Sequence, residues 1–261
     1  MNKNNWGFVM IILVSIGIAG ISWKVAEHPQ SQQETVIKIS KDSLYNQYIT
    51  KLYQAIGLDR TGLEKSVFEK ALTGYYNMKY SGLLNDKAIL TIADFDQLSS
   101  CKRFYIIDLC QKKLILNTWV AHGQNSGGNQ TTNFSNEKDS NESSLGFYLT
   151  GETYTGKHGR SLKLDGMDEG FNDHARERSI VVHGADYVSQ ESINQLGRLG
   201  RSQGCPAVPA NLANQVINTI SEHTVLFINN SAQHYQSQFL NEQLAASLIL
   251  SENSVLAAVM D

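Results

Sequence analysis

Residues 180–209 read IVVHGADYVSQESINQLGRLGRSQGCPAVP, and the rest of the chain is best interpreted outward from them. Three β-branched residues, 180–182, precede His183 and Gly184, so the pattern predicts a strand that ends in an imidazole. The glycine before Cys205 allows a sharp turn, and Pro206 predicts that a helix begins there. The stretch therefore presents a histidine at a strand end and a cysteine in a turn, where rigid elements commonly hold reactive groups.

Cysteine and histidine together supply the nucleophile and the base of covalent acyl transfer. At a helix start near Arg198 and Arg201, a thiol would have its pKa lowered by the helix dipole and by the two cations. A lone cysteine is more often a small buried apolar residue. The glycines and arginines that separate Cys205 from His183 favour the catalytic interpretation.

The stretch resembles the catalytic domains of the L,D-transpeptidase (YkuD-type) family, and most of all its murein L,D-transpeptidase branch, whose members read like HGADYVS followed by GRLGRSxGCPAVP. The segments SSLGFYLTGETY, KHGRSLKLDG and FNDHARERSIVVHGADYV are similar to the same branch, so the resemblance covers residues 85–230. Gln203 stands where the family commonly has histidine; since that position contributes its backbone, we expect the change to be tolerated. The long separation of the two key residues leaves residues 187–195 without an assigned role.

The resemblance implies a two-step acyl exchange through a thioester, with no cofactor and no metal. Cys205 is then the nucleophile that attacks the diaminopimelate carbonyl of a peptidoglycan stem peptide, and a terminal D-alanine leaves. His183 acts as the base, and the backbone carbonyl of Gly184 orients its ring. The N–H groups of Gln203, Gly204 and Cys205 are the expected oxyanion hole.

Arg198, Arg201 and Ser202 are the predicted substrate-binding residues. Guanidinium groups bind carboxylates through paired hydrogen bonds, and stem peptides carry carboxylates. Ser202 is expected to bond either Cys205 or the substrate.

The acceptor is left open by the sequence. An amine from a second stem peptide would give a cross-link, whereas water would make the protein an L,D-carboxypeptidase. Two further interpretations are an amidase that cuts a murein–lipoprotein link with the same Cys–His pair and a non-catalytic wall-binding protein.

Other chemistries find less support. His122 follows a second apolar run, and we interpret it as a structural or rim residue that lines the cleft. The sequence lacks the ligand spacing of a zinc site and the Gly-x-Ser-x-Gly turn of serine hydrolases. A net charge of −3 without a basic patch argues against nucleic-acid binding.

Alternating apolar residues predict that the catalytic part is largely β. Strands are expected over residues 88–95, 103–109, 113–120, 145–150, 179–182 and 224–229, with a further hairpin over residues 151–166. The family resemblance implies a sandwich of mixed sheets. The predicted fold class is therefore mainly β, with a mixed β-sandwich, and α+β overall once the helices are included.

Helices are predicted on both sides of the β domain. Within residues 28–84, a polar linker precedes two segments, 44–56 and 63–76, whose apolar residues recur at helical spacing. They predict a helical hairpin. Another helix is expected over residues 210–221, and the tail, residues 231–261, reads as one or two amphipathic helices.

Residues 1–27 are predicted to be a membrane anchor or a signal segment. Residues 6–23 are uncharged and mostly apolar. At a rise of 1.5 Å per residue, such a helix would span about 27 Å, close to the thickness of a bilayer core. The remainder of the chain is then expected in the periplasm, either anchored to the inner membrane or exported across it.

The three cysteines do not predict a disulfide. Cys101 and Cys110 bracket one expected strand, whose length of about 30 Å far exceeds the roughly 7 Å that a disulfide can bridge. Cys205 is then a free thiol in an oxidising compartment, which favours a catalytic role.

Overall fold

The computed structural model describes residues 41–249 and 251. The predicted anchor or signal segment, residues 1–27, lies outside the described residues, as do the polar linker and residues 252–261. Within the described part of the chain, no helix is both long and apolar enough to cross a membrane.

A single sheet occupies the centre of the described residues. Its eight strands are β1 (Ile89–Asp94), β2 (Phe104–Asp108), β3 (Lys113–Thr118), β4 (Gly146–Gly156), β5 (Gly159–Gly166), β6 (Val181–Ala185), β7 (Ala207–Pro209) and β8 (Val225–Asn229). They lie in the order β3–β2–β1–β8–β4–β5–β6–β7. Strands β1 and β8 are parallel, as are β6 and β7, and the other neighbours are antiparallel.

The two edges of this sheet come together beyond β3. Ala121 donates its N–H to the carbonyl of Ala207 at 2.8 Å and accepts from the N–H of Ala207 at 3.4 Å. A second bridge joins Gly123 to Ser202. The sheet is thus nearly closed on itself, so one curled sheet provides both faces of the expected sandwich. The predicted fold class is confirmed.

Helices lie before, within and after the sheet. They are α1 (Lys41–Ile56), α2 (Lys65–Tyr80), α3 (Gln190–Leu196) and α4 (Ala213–Ile220), with 3-10 turns at Leu58–Arg60, Gln124–Ser126, Ala210–Leu212 and Gln238–Leu240. Residues 242–249 are also helical. The helices predicted before the β domain and before the last strand are therefore present, and the described part of the tail is partly helical.

Alternate residues of the sheet face two separate apolar cores, because successive side chains of a strand point to opposite sides. On β1, Leu90 and Ile92 pack with α1, α2 and the C-terminal segment. Ile89 and Ala93 face the second core, which α4 covers. The predicted helical hairpin is therefore joined to the sheet through a shared core, and burial of this apolar surface stabilises both.

The prediction that a helix begins at Pro206 is wrong. Residues Ala207–Pro209 form strand β7, and helical residues begin only at Ala210, directly after Pro209. A three-residue strand is too short to show alternation, and all three of its residues are buried. The proline that precedes helical backbone is thus the second of the two.

Residues 187–195, which had no predicted role, lie in the connection between β6 and β7. Parallel strands cannot be joined by a tight turn and need a crossover, commonly a helix. Here the crossover contains α3, which begins after Ser189, whose side chain accepts from the N–H of Ser192, and ends at Gly197 with φ 70°. Val188 and Leu199 at its two ends pack over Ala207 in a third, smaller core.

Candidate active site

Cys205 and His183 line one cleft, with a volume of about 580 Å³. The register of the parallel pair β6–β7 places His183 opposite Ala207. Cys205 precedes Ala207 by two residues, so it lies beside the preceding part of β6. Two residues that are far apart in the sequence therefore line the same cleft because their strands are neighbours.

The turn before the cysteine has a fixed shape. Gly204 has φ 118°, which favours glycine, and a Cβ at this position would lie only 2.8 Å from the carbonyl oxygen of Glu142. The hydroxyl of Ser202 donates to the carbonyl of Cys205 at 2.6 Å and accepts from the N–H of Gly204 at 3.1 Å. The Ser143 hydroxyl donates to the Gly204 carbonyl at 3.1 Å. Backbone conformation and hydrogen bonds together orient residues 202–205, which we call the nucleophile turn because Cys205 is the candidate nucleophile.

The thiol of Cys205 is half-buried, and its Sγ lies 3.7 Å from the carbonyl oxygen of Ser179. Burial raises the pKa of Cys205, against the opposing effects of the backbone N–H of Val181 and the cations Arg178 and Lys157. The predicted lowering of this pKa by a helix dipole is wrong, since a strand follows the turn.

The imidazole of His183 is held by its own chain. Its Nδ1 lies 3.0 Å from the carbonyl oxygen of Gly184. A carbonyl can only accept, so Nδ1 carries the hydrogen and Nε2 of the neutral ring has a free lone pair. Gly184 itself needs to be glycine, because a Cβ there would lie 2.8 Å from the Cβ of Ala213.

The ring of His158 stacks on that of His183, with centroids 4.5 Å apart and planes inclined by 26°. Burial lowers the pKa of His183, and the charges of His158 and Lys157 lower it further, whereas the Gly184 carbonyl opposes these effects. A raised thiol pKa and a lowered imidazole pKa both favour the neutral Cys–His pair over a thiolate–imidazolium pair. The site thus holds a neutral thiol and a neutral imidazole in one cleft.

The predicted oxyanion donors differ in availability. The N–H of Gly204 already donates to the Ser202 hydroxyl. The N–H groups of Gln203 and Cys205 are therefore the remaining candidates. Ser202 is largely buried but lines the cleft, and its hydroxyl bonds the carbonyl of Cys205, one of its two expected partners.

The two predicted arginines occupy different places. Arg201 lines the cleft, and its Nη1 donates to the carbonyls of Gln124 and Gly127 at 3.0 and 2.9 Å. Arg198 does not line the cleft, and its Nη1 donates to the carbonyl of Leu199 at 2.6 Å. The structure thus brings Arg201 to the candidate nucleophile and leaves Arg198 outside.

Several cleft residues were missed by the sequence interpretation. Lys157 and His158 lie at the tip of the β4–β5 hairpin, and Tyr187 follows β6. Arg178 is in the charged run ARERS, which is typical of a solvent-exposed segment. Only the hairpin turn gave a signal, since KHG predicts a turn but not that the turn reaches the cleft.

His122 is fully buried and does not line the cleft, so of its two predicted roles the structural one holds and the position at the rim is wrong. Its Nδ1 accepts from Nη2 of Arg103 at 2.7 Å and lies 3.2 Å from the hydroxyl of Thr131. Burial and the charge of Arg103 lower the pKa of His122 to about 3. His122 is therefore a neutral structural residue.

Cys101 and Cys110 are exposed free thiols, as expected from their separation. Within residues 41–249 and 251, no group of three or more His, Cys, Asp or Glu residues is arranged to hold a metal ion.

Residues 59–229 match the family model of the L,D-transpeptidase catalytic domain, a range that includes both His183 and Cys205. The chain belongs to this family. A comparison with curated proteins found no match.

The solved structures that are similar to this L,D-transpeptidase family member share little sequence identity with it. An L,D-transpeptidase from Mycobacterium smegmatis is 12% identical, with a TM-score of 0.35, over 55% of this chain and 59% of that chain. The helical cell shape determining protein Pgp2 from Campylobacter jejuni is 12% identical, with a TM-score of 0.38, over 72% and 64%. Bd1075 from Bdellovibrio bacteriovorus is 14% identical, with a TM-score of 0.37, over 64% and 56%. The chain thus spans about three fifths of the length of these proteins, and its membership of the family rests on the family match.

Proposed function

We propose that the protein is a cysteine L,D-transpeptidase that cross-links peptidoglycan stem peptides through a thioester intermediate. One observation carries most of this proposal: the pairing of β6 with β7 brings Cys205 and His183 into one cleft. The family match supports peptidoglycan as the polymer on which the protein acts.

In the first step, Nε2 of His183 takes the proton of the Cys205 thiol as Sγ attacks the diaminopimelate carbonyl of the donor stem. The new C–S bond replaces the amide C–N bond, and the imidazolium returns the proton to the amine of the departing D-alanine. The neutral pair and the Gly184 hydrogen bond suit this general-base step. The N–H groups of Gln203 and Cys205 stabilise the oxyanion, and the loss of one such donor typically costs about 3 to 4 kcal/mol.

In the second step, an amine of a neighbouring stem attacks the thioester, and the thiol is regenerated. The neutral imidazole again removes a proton, this time from the incoming amine. The cationic side chains of Lys138, Lys157 and Arg201 line the cleft, and they favour donor peptides that carry free carboxylates. If water replaces the amine, the same site acts as an L,D-carboxypeptidase.

The decisive experiment incubates the purified protein with murein tetrapeptides and identifies the products by mass spectrometry. A cross-linked dimer supports transpeptidation, and a shortened tripeptide alone supports a carboxypeptidase. In a parallel incubation with lipoprotein-linked murein, release of a lipoprotein peptide supports the amidase. A carbapenem should acylate Cys205 at one equivalent. Absence of both products and acylation would favour a non-catalytic wall-binding protein.

Cys205→Ser is the matched variant for this experiment. It keeps size and hydrogen bonding but replaces a thiol with a hydroxyl that stays protonated at neutral pH. We expect activity to fall to background while the circular dichroism spectrum is unchanged. Wild-type turnover in the folded variant would end the cysteine mechanism.

We further propose that the enzyme faces the periplasm, either anchored through its N-terminal segment or released from the inner membrane. The support is the uncharged run over residues 6–23. An alkaline phosphatase fused after His28 should be active, since that reporter requires export. An inactive phosphatase fusion, together with activity of a second reporter that works only in the cytoplasm and is fused at the same residue, would contradict this location.

A further inference from the structure

Arg178 is held beside the nucleophile turn by neutral oxygens. Its Nη1 donates to the carbonyl of Ser135 at 2.6 Å and to the hydroxyl of Ser144. Its Nη2 donates to the carbonyl of Glu142 at 2.7 Å and to the hydroxyl of Ser140 at 3.1 Å. Since the protein occupies all four terminal N–H groups, this arginine has no fork left for a substrate carboxylate.

The nearby Arg176 shows the opposite arrangement. Its guanidinium bonds both Asp165, at 2.6 Å from Nε, and Glu152, at 3.0 Å from Nη1. Arg178 forms no ion pair with any carboxylate in the described residues. Two arginines of one charged run thus differ, because Arg176 bonds two carboxylates directly, whereas Glu137, Glu142 and the hydroxyl of Tyr148 act on Arg178 only through space.

The guanidinium of Arg178, which bonds no carboxylate among the described residues, lies against the nucleophile turn. Nη2 of Arg178 is 3.4 Å from the point where a Cβ on Gly204 would lie. The thiol of Cys205 lies against the carbonyl of Ser179, the residue that follows Arg178. The guanidinium therefore lies beside the residue that precedes Cys205, the backbone next to Arg178 contacts the thiol, and Arg178 also lines the cleft.

Other titratable groups share this cleft. The bases are Lys138, Lys157, His158, His183 and Arg201, and the acidic groups are Asp139, Glu177 and the hydroxyls of Tyr154 and Tyr187. Apart from Arg178, the permanently charged members are exposed, so water and salt screen them. Arg178 is half-buried and fixed, and its field at the cysteine is screened least.

We propose that Arg178 is a positioning residue whose fixed charge stabilises the anion that forms on Cys205 when its proton is removed. Its four hydrogen bonds also join the segment 135–144 to Arg178 beside the nucleophile turn, so the position of the guanidinium is fixed. The role rests on the proposed function, since it assigns a purpose to the thiolate of that reaction.

The test measures how fast iodoacetamide alkylates Cys205 as a function of pH, because only the thiolate reacts. The full chain carries Cys101→Ser and Cys110→Ser, which leave one thiol. We expect Arg178→Gln to slow alkylation about tenfold at neutral pH and to move the midpoint of the profile up by about one unit. Arg178→Lys, which keeps the charge, should recover most of the rate, and the matched control Arg176→Gln should leave the profile unchanged.

A midpoint that does not move in folded Arg178→Gln would overturn the proposal, as would an equal shift in Arg178→Lys, which would assign a purely structural role. The salt dependence of the midpoint in the protein that retains Arg178 is a second test, which does not depend on the folding of an Arg178 variant. If Arg178 dominates, raising the salt concentration to about 1 M should move the midpoint little, whereas a large upward shift would indicate the exposed lysines instead.

The readout also separates this proposal from the proposed function. Alkylation needs neither donor nor acceptor peptide, so the charge effect can be present in a chain that forms no cross-links. Conversely, an active transpeptidase with an unshifted Arg178→Gln profile would retain its function and lose this role.

Discussion

Two His–Gly dipeptides lie on either side of β7 and have opposite environments. Ala207 pairs with Ala121, the residue before His122, on one side and with His183 on the other. Both dipeptides follow an apolar run, and both belong to the same curled sheet. Sequence context alone gives little reason to treat them differently.

The two histidines differ by one residue in their position relative to the pairing with Ala207. Side chains at paired positions of neighbouring strands share a face, so His183 lies on the same face as Ala207. His122 comes one residue after the paired Ala121 and therefore points to the other face, where its ring lies 6.0 Å from that of Phe95. Register thus decides which imidazole reaches the cleft.

The two rings also differ in the hydrogen on Nδ1. In His183 that nitrogen donates to a carbonyl, whereas in His122 it accepts from Arg103. The first arrangement leaves the other ring nitrogen as a base that faces the cleft. The second fastens the ring to a buried cation and serves stability.

Replacing each histidine by alanine should give the largest contrast. His183→Ala should lower transpeptidase turnover by about 10²- to 10⁴-fold with little change in the free energy of unfolding. His122→Ala should leave the turnover of the folded protein near wild type but lower the free energy of unfolding by about 1 to 3 kcal/mol, since Arg103 loses a buried partner. Product formation and urea unfolding measure the two effects, and an equal loss of turnover in both variants would abolish the distinction.

The pH dependence of stability should also identify His122. Its pKa is about 3 in the folded protein and about 6.5 in an unfolded chain, so the unfolded state binds more protons between these values. The stability that His122 contributes is present above pH 6.5 and is lost as the pH falls towards 3, by about 5 kcal/mol at most. Because buried carboxylates titrate in the same window, the measurement compares urea unfolding of wild type with that of His122→Gln, whose profile should be flatter. Parallel profiles would contradict a neutral buried His122.

Arg201 sharpens the comparison because it connects the two regions, binding the carbonyls of Gln124 and Gly127 while it lines the cleft. Arg201→Ala should raise the KM for a free-acid donor by about tenfold, the loss of one charge-assisted contact. Arg198→Ala is the control and should change KM little. Amidated donors should be nearly indifferent to either change; if they lose as much as free acids, the carboxylate contact is not made.

Gln203→His should have the smallest effect. Gln203 is exposed, and only its backbone N–H is assigned a role. We expect turnover close to wild type in the assay of cross-linked products. A marked gain or loss would mean that the side chain takes part.

Much of this site was predictable because it depends on local chemistry. Apolar alternation predicted the strands of the sheet other than β7, and the glycine before Cys205 predicted a turn that the φ of Gly204 confirms. The carbonyl of Gly184 was expected beside His183 and lies 3.0 Å from its Nδ1. Each of these features involves neighbours in the sequence.

The features that were missed depend on the tertiary fold. Strand β7 is too short to show a pattern, and its existence depends on hydrogen bonds to Ala121 and to β6. Arg176 and Arg178 are indistinguishable in the run ARERS, since only the folded chain places carboxylates beside one and backbone carbonyls beside the other. No local signal separates His122 from His183 either.

Because β6 and β7 lie side by side, the distance in space between His183 and Cys205 does not depend on how many residues connect them. The helix of that connection, α3, buries none of its residues completely. Insertions or deletions there can be absorbed at the surface, so spacing along the chain is a poor guide for recognising distant relatives of this protein. The same freedom makes α3 a suitable place to insert an affinity tag without moving His183 and Cys205.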